Sequence, residues 1–278
     1  MKISIVIPTI NNINYLKILI DSIKKNSVYE HELIVHVNEN KDNSLEYLRK
    51  NNIKHSYSEE NTGLCTSVNK ASELATSNYL MYAHDDMYFL PEWDLIIEKE
   101  IKKLNTNNFY LSGTMIQRKG ADLELDCGDN YKNFDENYLL KSYKNVNIDD
   151  HQGTHWAPHL THISIWRKVG GFSQEFNPGD ASDSDFNMKL WTNGVRLFKG
   201  LNDFKVYHFG SISMRKNINI KKNNGTKTFL KKWGITPKFF FKYYLKTGAK
   251  FDGPLKEPNK NILFLFELLI CKIKKIFV

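Results

Sequence analysis

The amino-acid sequence predicts an α/β fold in which a mostly parallel central sheet is flanked by helices and followed by a helical C-terminal extension. Three observations lead there. The run ISIVI at residues 3–7 is almost entirely β-branched, the pattern of a strand buried on both faces. Strand-like runs then alternate with stretches of helical period up to about residue 116, as in a layered sheet with crossover helices. Finally, 278 residues with 41% hydrophobic and 13% aromatic content can build a core and are too apolar for wholesale disorder.

Pro8 closes the first strand. Leu16, Leu19, Ile20 and Ile23 fall at i, i+3, i+4 and i+7, one face of a helix. Residues 33–37 read as the second strand, residues 42–50 as a short helix and residues 53–57 as a weaker third strand. Leu64, Val68, Ala71 and Ala75 make the next helical stripe, and residues 79–83 the fourth strand. Pro91 suits a first helical turn, after which Trp93, Ile97, Ile101 and Leu104 keep helical spacing. Residues 109–116 form the fifth strand. From residue 117 to about 162 the pattern gives way to polar loops containing Gly and Asp. WRKVGGF at 166–172, a helix near 183–192 and a strand-like run from Val195 into VYHFGSISM follow. From about Ile218 the tail is basic and helical, broken at Pro237, Gly248 and Pro254. The expected division is a globular body over residues 1–215 and a basic helical extension over residues 216–278.

The net charge of +8 is unevenly placed: residues 215–278 hold 16 Lys/Arg against 3 Asp/Glu, net +13, which leaves −5 for the rest. A mildly acidic body with a basic tail points to anionic lipid, nucleic acid or an acidic partner, or to no more than a solvated lysine-rich face. Cys65, Cys127 and Cys271 are widely spaced and form no CxxC pair, which suggests neither a disulfide framework nor a zinc cluster and fits the reducing cytoplasm. The first apolar run is too short for a signal-peptide core, and no stretch reaches the ~20 apolar residues of a membrane span.

In α/β sheets, ligands sit outside the carboxyl ends of the strands. Thr9, Asn38, Glu39 and the group His84, Asp85 and Asp86 all lie just past predicted strand ends, so one edge of the sheet should carry them. No GxGxxG follows the first strand and no GxxxxGK[ST] occurs, which disfavours a dinucleotide site and a P-loop. A phosphate-bearing ligand would need another device, such as a carboxylate-held metal. Asp85 and Asp86 cannot both enter a core unpaired, because a buried lone carboxylate costs several kcal/mol. They are either solvated in an ordinary turn or hold a hard cation, Mg²⁺ or Mn²⁺, of the kind that neutralises a diphosphate. His151, His155, His159 and His162 have helical spacing that would suit zinc, but Gly153 and Pro158 interrupt any such helix. Trp156 and Trp166 suit either sugar stacking or core packing.

These residues resemble the family 2 glycosyltransferases of the GT-A (nucleotide-diphospho-sugar transferase) fold. SIVIPTINN is similar to that family's first strand and loop, and NTGLCTSVN at 61–69 to its N-x-G segment. AHDDM stands where its Asp-x-Asp motif falls. VGGF at 169–172 followed by SDSDF at 182–186 resembles its "GGF … ED-x-D" segment, and His208 in YHFGSIS its C-terminal histidine. The resemblance covers roughly residues 1–214, and five segments in the right order make it specific.

It implies an inverting transfer of sugar from a nucleotide-sugar donor, most simply a UDP-sugar, to a glycan or lipid-linked acceptor in cell-surface polysaccharide or lipopolysaccharide synthesis. Pro8, Thr9, Asn38, Glu39, Asn61, Gly63, Asn69, His84 and Asp85 would border the donor. Asp86, with His208, would hold Mn²⁺ or Mg²⁺. Asp183 matches the catalytic base, and Gly170, Gly171 and Trp156 fall on the acceptor side. The chain departs from the family pattern at His84, Asn38 and Ser182, where acids are usual, and at Val68, where Arg is common. A sugar nucleotidyltransferase would want a glycine-rich, basic loop where TINNINY stands. A non-catalytic glycan- or membrane-binding protein on the same scaffold is the other alternative.

Residues 262–278, ILFLFELLICKIKKIFV, hold one charge in their first ten positions and then three lysines. That composition suits a helix lying in the interface of an anionic membrane, on its cytoplasmic side. It also suits a helix docked on the protein body or on a partner. No nucleic acid is expected.

Overall fold

The computed structural model describes residues 1–153, 156–210 and 223–278. Strand β1 (Ile3–Ile10) lies inside the sheet with Ile3, Ile5, Val6 and Ile7 fully buried, as its unbroken apolar pattern requires. β2 (Glu32–Asn38) and β4 (Tyr79–Tyr82) flank it in parallel, and β3 (Lys54–Ser58) extends that run beyond β2. The remaining strands are β5 (Met87–Phe89), β6 (Phe109–Gln117), β7 (Leu123–Glu124), β8 (His151–Gln152), β9 (His159–His162) and β10 (Leu197–His208). Among the described residues they form one ten-stranded sheet, ordered β3-β2-β1-β4-β9-β6-β10-β5, with β7 on β6 and β8 on β10. β6 and β10 are parallel, whereas β9 runs antiparallel to β4 and β6, and β5 antiparallel to β10.

The flanking helices are α1 (Ile13–Asn26), α2 (Ser44–Lys50), α3 (Leu64–Ser72), α4 (Trp93–Leu104), α5 (Glu136–Ser142), α6 (Ile163–Val169) and α7 (Ser182–Thr192). α1 buries Leu16, Leu19, Ile20 and Ile23, the stripe its spacing predicts. α4 buries Trp93 and Ile97, and the Trp93 ring packs on Phe89 and Phe204 at centroid distances of 4.9 and 5.8 Å. Burying one such side chain stabilises the fold by roughly 1.5–3 kcal/mol.

Strands β7, β8 and β9 and helix α5 lie where the sequence suggests loops, and β5 is not expected from it at all. β5 is only three residues long and apolar on both sides, too short to show a period. β9, HLTH, is polar in composition yet almost wholly buried, because it closes the gap between β4 and β6. His151, His159 and His162 therefore sit on strands and not on a helix. His155, residues 211–214 of the VYHFGSISM run and Ile218, where the helical tail was expected to begin, lie outside the described residues.

At the amino edge of the sheet the acids are fully engaged. Asp94 Oδ2 accepts from the Val28 and Tyr29 amides, both at 2.8 Å, and lies 3.2 Å from His31 Nε2. Burial works against the charge of Glu32, but bonds from Lys54, Ser4 and Thr76 outweigh it and hold the carboxyl down at about 2.

The C-terminal segment adds α8 (Gly225–Trp233), α9 (Pro237–Phe240), a π-helical turn (Phe241–Leu245) and α10 (Ile262–Ile276). Thr236 caps α9, with Pro237 in the first turn. Phe229, Phe240, Leu245 and Phe264 join the same hydrophobic core as β1 and β4. Backbone bonds from Gln152 to Ala249 (2.7 Å) and from Phe251 to Asp150 (2.8 Å) fix the segment to β8.

Candidate active site

Because β1, β2, β4 and β10 run in parallel, their carboxyl ends share an edge, and Thr9, Asn38, His84, Asp85, Asp86 and His208 gather there. β5 begins directly after Asp86 and pairs Met87 with His208. That register brings the Phe209 amide to the Asp86 carbonyl (3.0 Å) and Asp86 Oδ1 to within 3.1 Å of His208 Nε2. The Gln117 amide lies 2.6 Å from His208 Nδ1 and orients the ring. The His84 ring centroid is 5.4 Å from that of His208. One donor atom from each of His84, Asp86 and His208 lies within 4.8 Å of the other two, the metal-type group found among the described residues. Burial, then the neighbouring His208, pushes the His84 imidazole down to about 4, so it is neutral at pH 7 and has a lone pair to offer. Two imidazoles and a carboxylate, His84 and Asp86 from the turn between β4 and β5 and His208 from the end of β10, fit a divalent ion that accepts nitrogen ligands.

Asp183 stands in the first turn of α7. Its Oδ1 faces His159 Nε2 at 3.6 Å, and both atoms are buried with no hydrogen-bond partner among the described residues. His159 reaches this edge because β9 runs backwards: its first residue pairs with Tyr82, the last of β4. The imidazole is packed among Tyr82 (5.2 Å), Tyr110 (4.8 Å) and Phe186 (5.5 Å). The charges of Asp86 and Asp183 both act on His84 and on Tyr82, whose phenol is pushed far up by burial and then by Asp183. Both acids thus act on one pair of rings, joined edge to face at 5.3 Å. Burial, then Asp183, pushes the Cys65 thiol up to about 12, so it stays protonated. Asp185 points elsewhere: it accepts from Ser173 (2.6 Å) and Trp233 (2.8 Å) and pairs with Lys232, tying α7 to α8.

The other sequence-selected residues divide into two sets. Several are bonded into the frame. Thr9 donates to Asp85 at 2.6 Å. Asn38 donates to Ser67 and accepts from the Thr62 amide and hydroxyl, which holds the loop before α3. Asn69 makes a reciprocal pair with the Phe172 backbone (2.7 and 2.9 Å), locking the GGF turn onto α3. A side chain at Gly171 would collide with Asn69, and one at Gly63 with Asn177, both at positive φ. Trp166 is core, donating to Ser72 at 3.0 Å. The second set is more open. Pro8 is half-buried on β1, and Glu39 sits at positive φ between Asn11 (2.9 Å) and Lys41 (2.6 Å). Asn61 accepts from the Gly63 amide, Gly170 faces open space and Trp156 is exposed. Sequence reasoning passed over His159 and Gln117 as site residues. His159 carried a signal only as a histidine followed by apolar and β-branched residues.

A mixed sheet with a histidine–carboxylate cluster at its carboxyl edge and an aspartate across from it defines a GT-A type sugar-transferase scaffold. The sequence pattern of glycosyl transferase family 2 matches residues 4–157, more than half of the chain, and the chain belongs to that family. Among solved structures it is similar to TarS of S. aureus, with a TM-score of 0.61 and 14% identity, covering 100% of this chain and 44% of that one. TarS 1-349 in complex with UDP-GlcNAc gives 0.57 and 16%, covering 87% of this chain and 75% of that one. GalNAc-T7 with UDP, GalNAc and Mn²⁺ gives 0.61 and 13%, covering 87% and 50%. At such identities the likeness shows the fold, and the chain spans less than half the length of TarS. No curated protein matches the chain significantly.

Proposed function

We propose that the chain transfers a sugar from a UDP-sugar to a glycan or lipid-linked glycan acceptor with inversion, using Mn²⁺ in preference to Mg²⁺. The observation that carries this reading is that two acidic groups act on the same buried rings of Tyr82 and His84: Asp86, grouped with His84 and His208, and Asp183, which faces His159. UDP is favoured because TarS and GalNAc-T7, which share the fold, are solved with UDP or UDP-GlcNAc, and GalNAc-T7 with Mn²⁺.

His84, Asp86 and His208 would hold the ion, and two nitrogen ligands make Mg²⁺ the poorer fit. When bound, the ion offsets charge growing on the diphosphate leaving group. Lys119 lines a groove beside His208, in which Arg118 is paired with Asp126 and Asp129. Asp85, held by Thr9, and the loop braced by Asn38 and Asn61 shape the nucleotide side, together with Pro8, Glu39 and Gly63. Asn69 sets the GGF turn, in which Gly171 packs on Asn69 while Gly170 leaves room on the acceptor side, and exposed Trp156 offers a stacking face.

Asp183 accepts the acceptor hydroxyl's proton as that oxygen attacks the anomeric carbon from the side opposite the diphosphate, which inverts the centre without a covalent intermediate. General-base help of this kind is worth ~10²–10⁴-fold. His159 orients the Asp183 carboxylate. The catalytic unit is residues 1–215, with the extension bracing α7 through Trp233 and Lys232. Three free, buried cysteines are consistent with work in the cytoplasm.

A thermal-shift panel of UDP-, GDP-, dTDP- and CMP-sugars, with and without Mn²⁺, tests the reading. A rise in Tm for UDP-sugars alone, dependent on Mn²⁺ and lost in Asp86→Ala, is expected. No shift with any donor would favour a non-catalytic binding role on the same scaffold.

A further inference from the structure

One helix face is left unexplained by sugar transfer. α10 docks on the protein through Phe264 and Cys271, which are buried. Phe264 packs on Phe239 and Tyr243, each at 5.0 Å, and Cys271 lies 3.9 Å from Thr236. The opposite side carries Ile262, Leu265, Phe266, Leu269, Ile273 and Ile276, all between 47% and 87% exposed. At 3.6 residues per turn these six fall within a sector of about 100°. Lys272 and Lys274 lie on either side of that sector. Glu267, the one acid of the helix, lies on the Lys274 side and is paired with Lys242 at 2.6 Å. Beside the helix, Lys238, Lys242, Lys246 and Lys274 line an open groove with Thr236 and Phe241.

A continuous apolar ridge bordered by lysines has two needs, removal from water and negative charge. A second copy of the same face would meet the first and oppose the second, since it would press lysines together. An anionic lipid surface meets both: acyl chains take the ridge, and phosphates take the lysines. No helix of the described residues is long and apolar enough to cross a membrane, so the contact is one of lying on the surface. We infer that α10 is the membrane-docking face of this protein, seating Phe266, Leu269 and Ile273 among the lipids of an anionic bilayer while the Lys238–Lys246–Lys274 groove takes a phosphate headgroup. The inference does not depend on the sugar-transfer reading, because it concerns lipid binding alone.

Co-sedimentation of the full chain with vesicles tests it. One set is phosphatidylcholine, the other an equimolar mixture with phosphatidylglycerol. The chain should sediment with the anionic set, and added salt should weaken the binding. Phe266→Ser with Ile273→Ser should lower the affinity at least about tenfold, and Lys272→Gln with Lys274→Gln should lower it while removing much of the salt dependence. All four side chains are exposed, so Tm and the circular dichroism spectrum should stay as in the parent. A chain that stays in the supernatant with anionic vesicles would overturn the inference. So would a concentration-dependent dimer in solution that Phe266→Ser with Ile273→Ser dissolves while vesicle binding is unchanged, for the face would then belong to a second copy.

Discussion

At the amino edge of the sheet Asp94 accepts two amide bonds and lies 3.2 Å from an imidazole, whereas at the carboxyl edge Asp183 turns a buried oxygen toward His159 across 3.6 Å without closing a bond. Both acids meet a histidine on a neighbouring element, and both lie on helices that pack near the sheet. The first is held by hydrogen bonds at every turn and is part of the frame. The second leaves a buried oxygen facing a buried nitrogen with no bond closed among the described residues, and an unmet buried polar atom costs about 1–3 kcal/mol. The comparison separates an acid that holds the protein together from the acid we propose as the base.

If it is sound, substitutions at the two edges should damage different properties. The largest effect is expected for Asp183→Asn: transfer should fall about a thousandfold, with Tm and the donor-induced Tm shift kept. Steady-state transfer assays alongside thermal melts check this, and an unchanged rate would break the comparison at its functional end. Asp94→Ala should do the reverse. It removes the acceptor for two amides and for His31, so urea denaturation should show about 3 kcal/mol less stability, while activity per folded molecule stays near the parent value.

His159→Phe is the sharper probe. The new ring keeps the stacking on Tyr82 and Phe186 but removes the nitrogen facing Asp183. A fall in kcat of about tenfold, with donor KM and Tm held, would mark His159 as a positioning residue. A merely structural histidine would lower Tm and leave kcat per folded molecule alone.

The smallest effect concerns pH. Glu32 is held down at about 2 in the folded protein against an ordinary 4.5, so its contribution to stability is complete above pH 4.5 and is lost as pH falls toward 2. Urea midpoints measured between pH 6 and pH 3 should show a steeper decline for the parent than for Glu32→Gln. Equal slopes would remove Glu32 from the frame.

Much of this was legible in the sequence, and the gaps have physical causes. The β-branched run of β1 and the stripes of α1 and α4 repeat often enough for periodicity to show them. Asp86, His208 and Asp183 were legible because they follow strand ends or open a helix in a recognisable order. β5 was hidden by its length, and it is the element that seats Asp86 on His208. β9 was hidden because HLTH looks polar, and its direction decides that His159 reaches the site. Searching only past the carboxyl ends of strands misses whatever an antiparallel strand delivers by its amino end. Asn38 and Asn69 show the opposite limit: their positions in sequence suggest ligand contact, while their amides are bonded to the loop before α3 and to the GGF turn.

The central claim is that His84, Asp86, His208 and Asp183, at the carboxyl edge, form one site around one donor. A crystal structure of the chain with Mn²⁺ and UDP addresses it most directly. The ion is expected on His84, Asp86 and His208 with the diphosphate against it, and the uncapped side of the diphosphate facing the His159–Asp183 pair. An ion bound away from these three residues, or an Asp183 carboxylate opening onto a surface that the nucleotide does not reach, would contradict the account.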